Sequence, residues 1–197
     1  MKHRTLIIAG IISIFIYSLS SCGTSASGDQ VSIDKMGLQD TSVKRGAYLV
    51  TIMGCNDCHS PRIMGEHGPM LDPDRILSGY PSTVPVKVPD MKNLQPGSGV
   101  FDPTGTAFAG PWGMTFAANL TSDGTGIGNW SLKQFTNAFT RGKHMGIDEE
   151  RNILPPMPWE NYAHVEEADI KAIFAYLKST KPVQNKIPAF ITPGQTK

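Results

Sequence analysis

Five consecutive residues in the first third of the chain combine two thiols with an imidazole. They are Cys55, Asn56, Asp57, Cys58 and His59, which form the pattern C-x-x-C-H. Two thiols three positions apart can each form a thioether to one vinyl group of a haem, and the adjacent histidine can then bind the iron. The pattern is typical of covalent haem c attachment. It occurs once in the 197 residues, so we expect one covalent haem.

Two other uses of paired cysteines fit this sequence less well. A structural zinc site needs two further ligands at a similar spacing, and the only other cysteine is Cys22. A thioredoxin-like redox pair accompanies a βαβ pattern, which the residues before Cys55 do not have. We therefore expect Cys55, Cys58 and His59 to bind the haem, with His59 as an iron ligand.

The sixth ligand of a histidine-bound haem iron decides between electron transfer and ligand chemistry. Met157 is the predicted ligand, because it lies among three prolines whose restricted φ angles make a stiff loop. Thioether sulfur is a soft ligand, and it raises the potential of haem iron. The next candidates are Met145 and Met114 among the methionines and His144 among the histidines.

The amino terminus has the pattern of a bacterial lipoprotein signal. Two basic residues precede an apolar run, residues 6–17, which suits a signal peptide and is short for a membrane span. The Leu-Ser-Ser sequence before Cys22 resembles a lipobox, in which the cysteine is diacylated; ordinary cleavage near residues 25–27 is the alternative. We expect residues 1–21 to be the signal and Cys22 the lipid attachment site. Such a protein is anchored to a membrane in the cell envelope without spanning it, on a periplasmic or outer face.

The remainder suits one domain. Residues 22–40 are rich in small and polar side chains and predict a flexible tether. Residues 41–182 are long enough for a single haem domain with one core, followed by a Pro-rich tail over 183–197. The formal net charge of +1, without a block of like charge, indicates no nucleic-acid partner.

Three helices are predicted from apolar spacing and end signals. The first covers about residues 42–53. The second begins at Ser131, which forms a capping-box pattern with Gln134, and stops at Gly142. The third covers about residues 167–179.

The intervening residues 61–129 are rich in Gly and Pro, which predicts loops and short turns wrapped over the haem. Gly46, inside the first helix, costs up to about 1 kcal/mol relative to Ala. We therefore expect another backbone to approach it closely.

The order of these elements resembles the class I cytochrome c domain. It is more similar to one haem module of the cytochrome c subunits of membrane-bound dehydrogenases. That similarity is carried by the segments Gly54–His59, Ala118–Thr121, Gly126–Trp130 and Pro155–Pro158. The resemblance covers about residues 43–182 and implies an all-α class I cytochrome c fold around one covalent haem.

The resemblance also implies roles for single residues. Met157 would be the sixth iron ligand, and Pro69 would offer its carbonyl to the Nδ1 hydrogen of His59. Trp130 would donate its indole N–H toward a haem propionate. Gly46 and Tyr176 would mark the crossing of the first and last helices.

Two features depart from the family pattern. The related subunits string several haem modules together, whereas this sequence has one C-x-x-C-H. Glu166 stands where a Ser-type helix cap is usual, and glutamate is the poorer cap.

These observations predict an electron-transfer protein that is not itself an enzyme. It would carry single electrons between redox partners such as a dehydrogenase or a terminal oxidase, either freely or as a fixed subunit of a larger oxidoreductase. The alternative is a haem enzyme or gas sensor with an exchangeable sixth ligand, in which His144 or Arg141 would face the iron.

Overall fold

The computed structural model describes residues 41–95 and 97–194. The predicted signal peptide, Cys22 and the predicted tether lie outside these residues. The described part contains four α-helices: α1 over residues 41–52, α2 over Cys55–His59, α3 over Leu132–Arg141 and α4 over Glu167–Ser179. Short 3-10 helices cover Met91–Asn93, His144–Gly146 and Trp159–Tyr162. Within residues 41–95 and 97–194, each helix is too short or too polar to span a bilayer.

Helices α3 and α4 confirm the end signals in the sequence. Ser131 and Gln134 form both hydrogen bonds of a capping box, and Gly142 ends α3 in the left-handed region at φ 62°. Glu166 precedes α4 without a side-chain cap hydrogen bond. Glu167 and Asp169 in the first turn of α4 still suit the positive end of the helix dipole.

The predicted close approach at Gly46 is present between α1 and α4. A Cβ atom on Gly46 would overlap the Ala172 carbonyl and lie 2.7 Å from Cβ of Tyr176. Beside this crossing Arg45 forms two hydrogen bonds of 2.9 Å to the Asp169 carboxylate, which lower the pKa of that carboxyl. The absence of a side chain at Gly46 thus sets the distance between the two helices.

Gly46→Ala is expected to lower the free energy of unfolding by about 1–3 kcal/mol, because the methyl group must push two backbones apart. The gain in helix propensity, about 1 kcal/mol, offsets only part of this cost. Urea denaturation followed by circular dichroism measures the change. Gly99→Ala is the matched control, since its Cβ would meet only the Ala109 carbonyl at 3.4 Å. Equal stabilities of the two variants would contradict the prediction.

The prediction of an all-α fold is wrong for the region between α2 and α3. Strands β1 (Arg62–Gly65) and β2 (Gly68–Leu71) form an antiparallel hairpin. A second antiparallel sheet has the order β3-β4-β5, formed by Val100–Phe101, Ala107–Gly110 and Gly113–Phe116. Residues 61–129 are therefore more than loops and turns.

The β1–β2 and β4–β5 hairpins have the same local cause. In each, a glycine pair closes a two-residue turn: Gly65 pairs with Gly68, and Gly110 pairs with Gly113. The second glycine of each pair has φ 120°, which few other residues adopt. Strand β4 is buried at every position, so it lacks the alternating pattern that identifies a half-buried strand.

The buried apolar side chains form two clusters. The helical cluster joins residues of α1, α3 and α4 with two loop residues: Leu49, Val50, Leu77, Ile127, Phe135, Phe139, Ile170, Ala172, Ile173 and Leu177. The sheet cluster contains Tyr80, Met91, Ala107, Ala109, Met114 and Ile191. The helical cluster is the one that carries the C-x-x-C-H segment, since Cys55 packs against it.

The segment after α4 contributes buried side chains to the domain. Asn185 and Ile191 are 6% and 5% exposed. Ile191 exchanges two backbone hydrogen bonds with Met114 of β5, at 2.8 and 3.0 Å. The part of the predicted tail that the structure describes therefore packs on the sheet, beyond the predicted domain boundary at residue 182.

Candidate functional site

Helix α2 consists of the C-x-x-C-H residues themselves. Gly54 separates it from α1 by adopting the left-handed region, with φ 68° and ψ 24°. Because residues three positions apart lie on one face of a helix, Cys55 and Cys58 are neighbours along one side of α2. Both cysteines are free and half-buried.

The environment of the two thiols does not suit a redox-active cysteine pair. Burial raises the pKa of Cys55 to about 11, and burial also raises that of Cys58. Redox cysteines need a lowered pKa, since the thiolate is the reactive form. Both thiols are therefore protonated at neutral pH. Each carries the S–H group that adds across a vinyl group when a thioether forms.

His59 is held by one ring nitrogen. Its Nδ1 lies 2.8 Å from the Ala118 carbonyl oxygen, which can only accept, so Nδ1 carries the hydrogen. Burial lowers the pKa of His59, and the bond to Ala118 opposes that shift only in part. The imidazole is therefore neutral at neutral pH, and its Nε2 lone pair is free to bind a metal.

The contact predicted for Pro69 is made by Ala118 instead. Pro69 lies on the exposed β1–β2 hairpin, opposite Met64. Ala118 reaches His59 because its segment runs beside residues 77–80, with a hydrogen bond of 3.1 Å from the Tyr80 N–H to the Ala117 carbonyl. The backbone carbonyl that holds the His59 ring is therefore that of Ala118 and not that of Pro69.

Met157 lies in a loop that is fixed on both sides. Before it, the Pro155 carbonyl accepts a 3.0 Å hydrogen bond from Thr115 Oγ1. After it, Tyr162 stacks on Phe139 with ring centroids 4.7 Å apart. Burial raises the pKa of Tyr162, and the two C-x-x-C-H thiols add to the shift. The Tyr162 hydroxyl donates to the Met53 carbonyl at 3.5 Å, so this end of the loop packs near the start of α2. Met157 itself is half-buried.

The other candidate ligands lie in different surroundings. Met114 is 2% exposed and belongs to the sheet cluster, while Met145 is 48% exposed on a 3-10 turn. His144 has its Nδ1 3.4 Å from Glu150 Oε2. The guanidinium of Arg141 forms a 2.8 Å ion pair with Asp148.

Trp130 is partly buried against the helical cluster, directly before the cap of α3. Its backbone N–H donates to the Ile127 carbonyl at 2.9 Å. Lys178 of α4 donates to the carbonyls of Ile127 and Gly128, which fixes the loop that precedes Trp130. The sequence alone does not indicate this contact, because a lysine in the last turn of a helix is also expected from the helix dipole.

The donor set of α2 fits a covalent haem better than a protein-bound metal ion. It offers two neighbouring protonated thiols and one neutral imidazole with a free Nε2. Among residues 41–95 and 97–194, no three or more His, Cys, Asp or Glu side chains are grouped to hold a metal ion.

Sequence comparison gives three relatives that match most of the chain. It is 33% identical over 149 residues to the fructose dehydrogenase cytochrome subunit of Gluconobacter japonicus, covering 75% of this chain and 23% of the relative. It is 30% identical over 138 residues to the gluconate 2-dehydrogenase cytochrome c subunit of Pantoea cypripedii, covering 70% and 23%. It is 28% identical over 155 residues to the cytochrome c subunit of the alcohol dehydrogenase (quinone) of Gluconobacter oxydans, covering 77% and 24%. No family model matches.

The chain thus spans about a quarter of the length of these three relatives. The matched lengths exceed the individual motifs and cover most of the described domain. The relationship indicates a class I cytochrome c-like fold, here with two small sheets added to the helices. The resemblance is confirmed: the chain is a homologue of one segment of the cytochrome c subunits of membrane-bound dehydrogenases.

Proposed function

We propose that the chain is a lipid-anchored monohaem c-type cytochrome that carries single electrons between membrane or periplasmic redox partners. The observation that carries the proposal is the geometry of α2. Two free thiols lie on one side of a helical turn, and the next residue is an imidazole whose Nδ1 is already bonded to Ala118. Homology to cytochrome c subunits supports the same cofactor.

Cys55 and Cys58 would each add across one vinyl group of the haem. In each addition a sulfur–carbon bond forms and the thiol hydrogen goes to the other vinyl carbon, so no leaving group is needed. His59 would bind the iron through Nε2. The haem supplies a one-electron couple between iron(III) and iron(II), and the chain supplies its attachment, burial and orientation.

Met157 is proposed as the sixth ligand. Its loop is hydrogen-bonded to Thr115 of β5 and leads to Tyr162, which packs against the helical cluster as Cys55 does; both contacts support a fixed position for the thioether. A bound methionine would close the iron to substrates and favour electron transfer over ligand chemistry. Trp130, on a loop fixed by Lys178, is proposed to donate its indole N–H to a haem propionate.

The anchor is proposed from the sequence outside the described residues. Cys22 would be diacylated and would become the new amino terminus once residues 1–21 are removed, and residues 22–40 would connect the lipid to the haem domain. The haem would then work near the membrane surface of the cell envelope.

The proposed electron donor is a dehydrogenase. Three relatives are named as cytochrome subunits of fructose, gluconate and alcohol dehydrogenases. A single C-x-x-C-H motif supports one haem in this sequence. Electrons would pass from the dehydrogenase through this haem to an acceptor such as a terminal oxidase, either within a fixed complex or by diffusion.

Carbon monoxide tests the assignment directly. The reduced holoprotein is expected not to bind carbon monoxide at neutral pH, because histidine and methionine occupy both axial positions. The optical spectrum of the dithionite-reduced protein with and without the gas measures this. Rapid stoichiometric binding would favour the haem enzyme or gas sensor instead.

A further inference from the structure

His59 is held at two points by two loops that contact each other. Its carbonyl accepts a 2.8 Å hydrogen bond from the Gly79 N–H, and its ring is bonded to the Ala118 carbonyl. Gly79 has φ 74°, and a Cβ there would lie 2.7 Å from the carbonyl carbon of Ala118. Movement of residues 77–80 would therefore be transmitted to residues 117–120, and both loops reach His59.

Asn185, from the segment after α4, holds the first of these loops. Its side-chain Nδ2 donates to the carbonyls of Ser78 and Tyr80, at 2.7 and 2.9 Å. Its Oδ1 accepts from the Ser82 N–H at 2.9 Å. The side chain thus binds the residues directly before and after Gly79. Because the amide is buried, water does not compete for these hydrogen bonds.

Asn119 holds the second loop to the same segment. It directly follows Ala118 and is 3% exposed. Its Nδ2 donates to the Val183 carbonyl at 2.8 Å and to Thr125 Oγ1 at 3.2 Å. Its Oδ1 accepts from the Thr121 N–H at 2.9 Å. The peptide whose carbonyl contacts the imidazole is therefore fixed by a buried amide on its own chain neighbour.

We propose that Asn119 and Asn185 are positioning residues for the axial imidazole, and that through them the segment 183–185 tunes the potential of the haem. The inference rests on the proposed haem attachment. A strong bond from Nδ1 to a carbonyl makes the imidazole a better electron donor, which stabilises iron(III). Loosening either loop weakens that bond and raises the midpoint potential.

Asn185→Ala tests the inference in the full-length holoprotein. Alanine leaves the carbonyls of Ser78 and Tyr80 without their donor and adds no charge that would itself shift the potential. Redox titration is expected to show an equilibrium constant for haem reduction raised about threefold to tenfold, where tenfold corresponds to 59 mV for one electron. The shift should occur with the methionine-ligated optical spectrum retained.

Asn185→Ser is a second, milder variant. Its effect is measured as the hydrogen-exchange rate of the Gly79 amide. The Gly79 amide is expected to exchange at least tenfold faster than in the parent, because both neighbouring carbonyls lose their partner. An unchanged exchange rate would overturn the inference, whatever the haem content of the variant.

Asn137→Ala is the matched control, because it also removes a buried amide. Asn137 is 8% exposed on α3 and donates to the Gly146 carbonyl at 3.3 Å, in a different part of the fold. It is expected to lower the melting temperature without shifting the potential. An equal shift in Asn137→Ala, or none in Asn185→Ala with haem attached, would overturn the inference. A parent protein without covalent haem would instead overturn the proposed function on which it rests.

Discussion

Replacing Cys55 and Cys58 together by alanine is expected to abolish covalent haem attachment. Without either sulfur no thioether can form, and the axial bond from His59 is the only link that α2 can still offer. Acid-acetone extraction followed by absorbance of the protein pellet measures the effect. The parent should keep its colour in the pellet, and the double variant should lose essentially all of it to the solvent.

Cys22→Ala provides the control, since it removes the one cysteine of the sequence outside C-x-x-C-H and leaves the motif intact. Its haem content is expected to equal that of the parent. If the lipid is attached at Cys22, this variant should also leave the membrane fraction. A double variant that retains extraction-resistant haem would show that α2 is not the attachment site.

Met157→Ala is expected to lower the midpoint potential and to open the iron to exogenous ligands. The potential should fall by on the order of 0.1 V, a modest part of the roughly 0.8 V that axial ligands span. Loss of the thioether removes a ligand that favours iron(II). Redox titration measures the potential, and carbon monoxide binding by the reduced variant reports the open position.

Met145→Ala is the matched control for that experiment. Met145 is half exposed and is the nearest methionine candidate along the chain. Met145→Ala is expected to keep the midpoint potential of the parent and, like the parent, not to bind carbon monoxide when reduced. The assignment of Met157 is wrong if its variant matches the parent, and Met145 takes its place if only the control loses the methionine signature.

Helix α3 and the haem motif were predictable because their signals are local. The capping box joins residues three positions apart, and Gly142 ends the helix through its own φ angle. C-x-x-C-H is likewise complete within five residues. The close approach at Gly46 was predictable for a similar reason, since a glycine inside a helix needs a cause.

The hairpins could not be found from periodicity, because their strands have four residues or fewer and β4 is buried throughout. The available signal was the repeated Gly-x-x-Gly turn. The hydrogen-bond partner of the His59 ring was still harder to predict from the sequence. Ala118 lies 59 positions away, and many carbonyls in the intervening sequence could equally have reached the ring. Contacts at such separation depend on the path of the whole chain.

Asn185 shows the same limit from the other end of the chain. Its position after the last helix, among prolines, predicted a tail. The side-chain amide bonds to Ser78, Tyr80 and Ser82, which lie 103 to 107 positions away, so no local pattern identifies these contacts. A buried asparagine beyond the final helix is therefore a useful signal only once the fold is known.

The pairing of Ile191 with Met114 has a consequence for how copies of the protein meet. The outer side of β5 is an edge of its sheet, and an open edge is a template onto which a strand of another molecule can add. Here the terminal segment of the same molecule occupies that template, and the Phe190 ring lies against Gly113 at the turn. A strand of another molecule could add to this edge only after the terminal segment had dissociated from β5. The segment therefore opposes self-association at this edge.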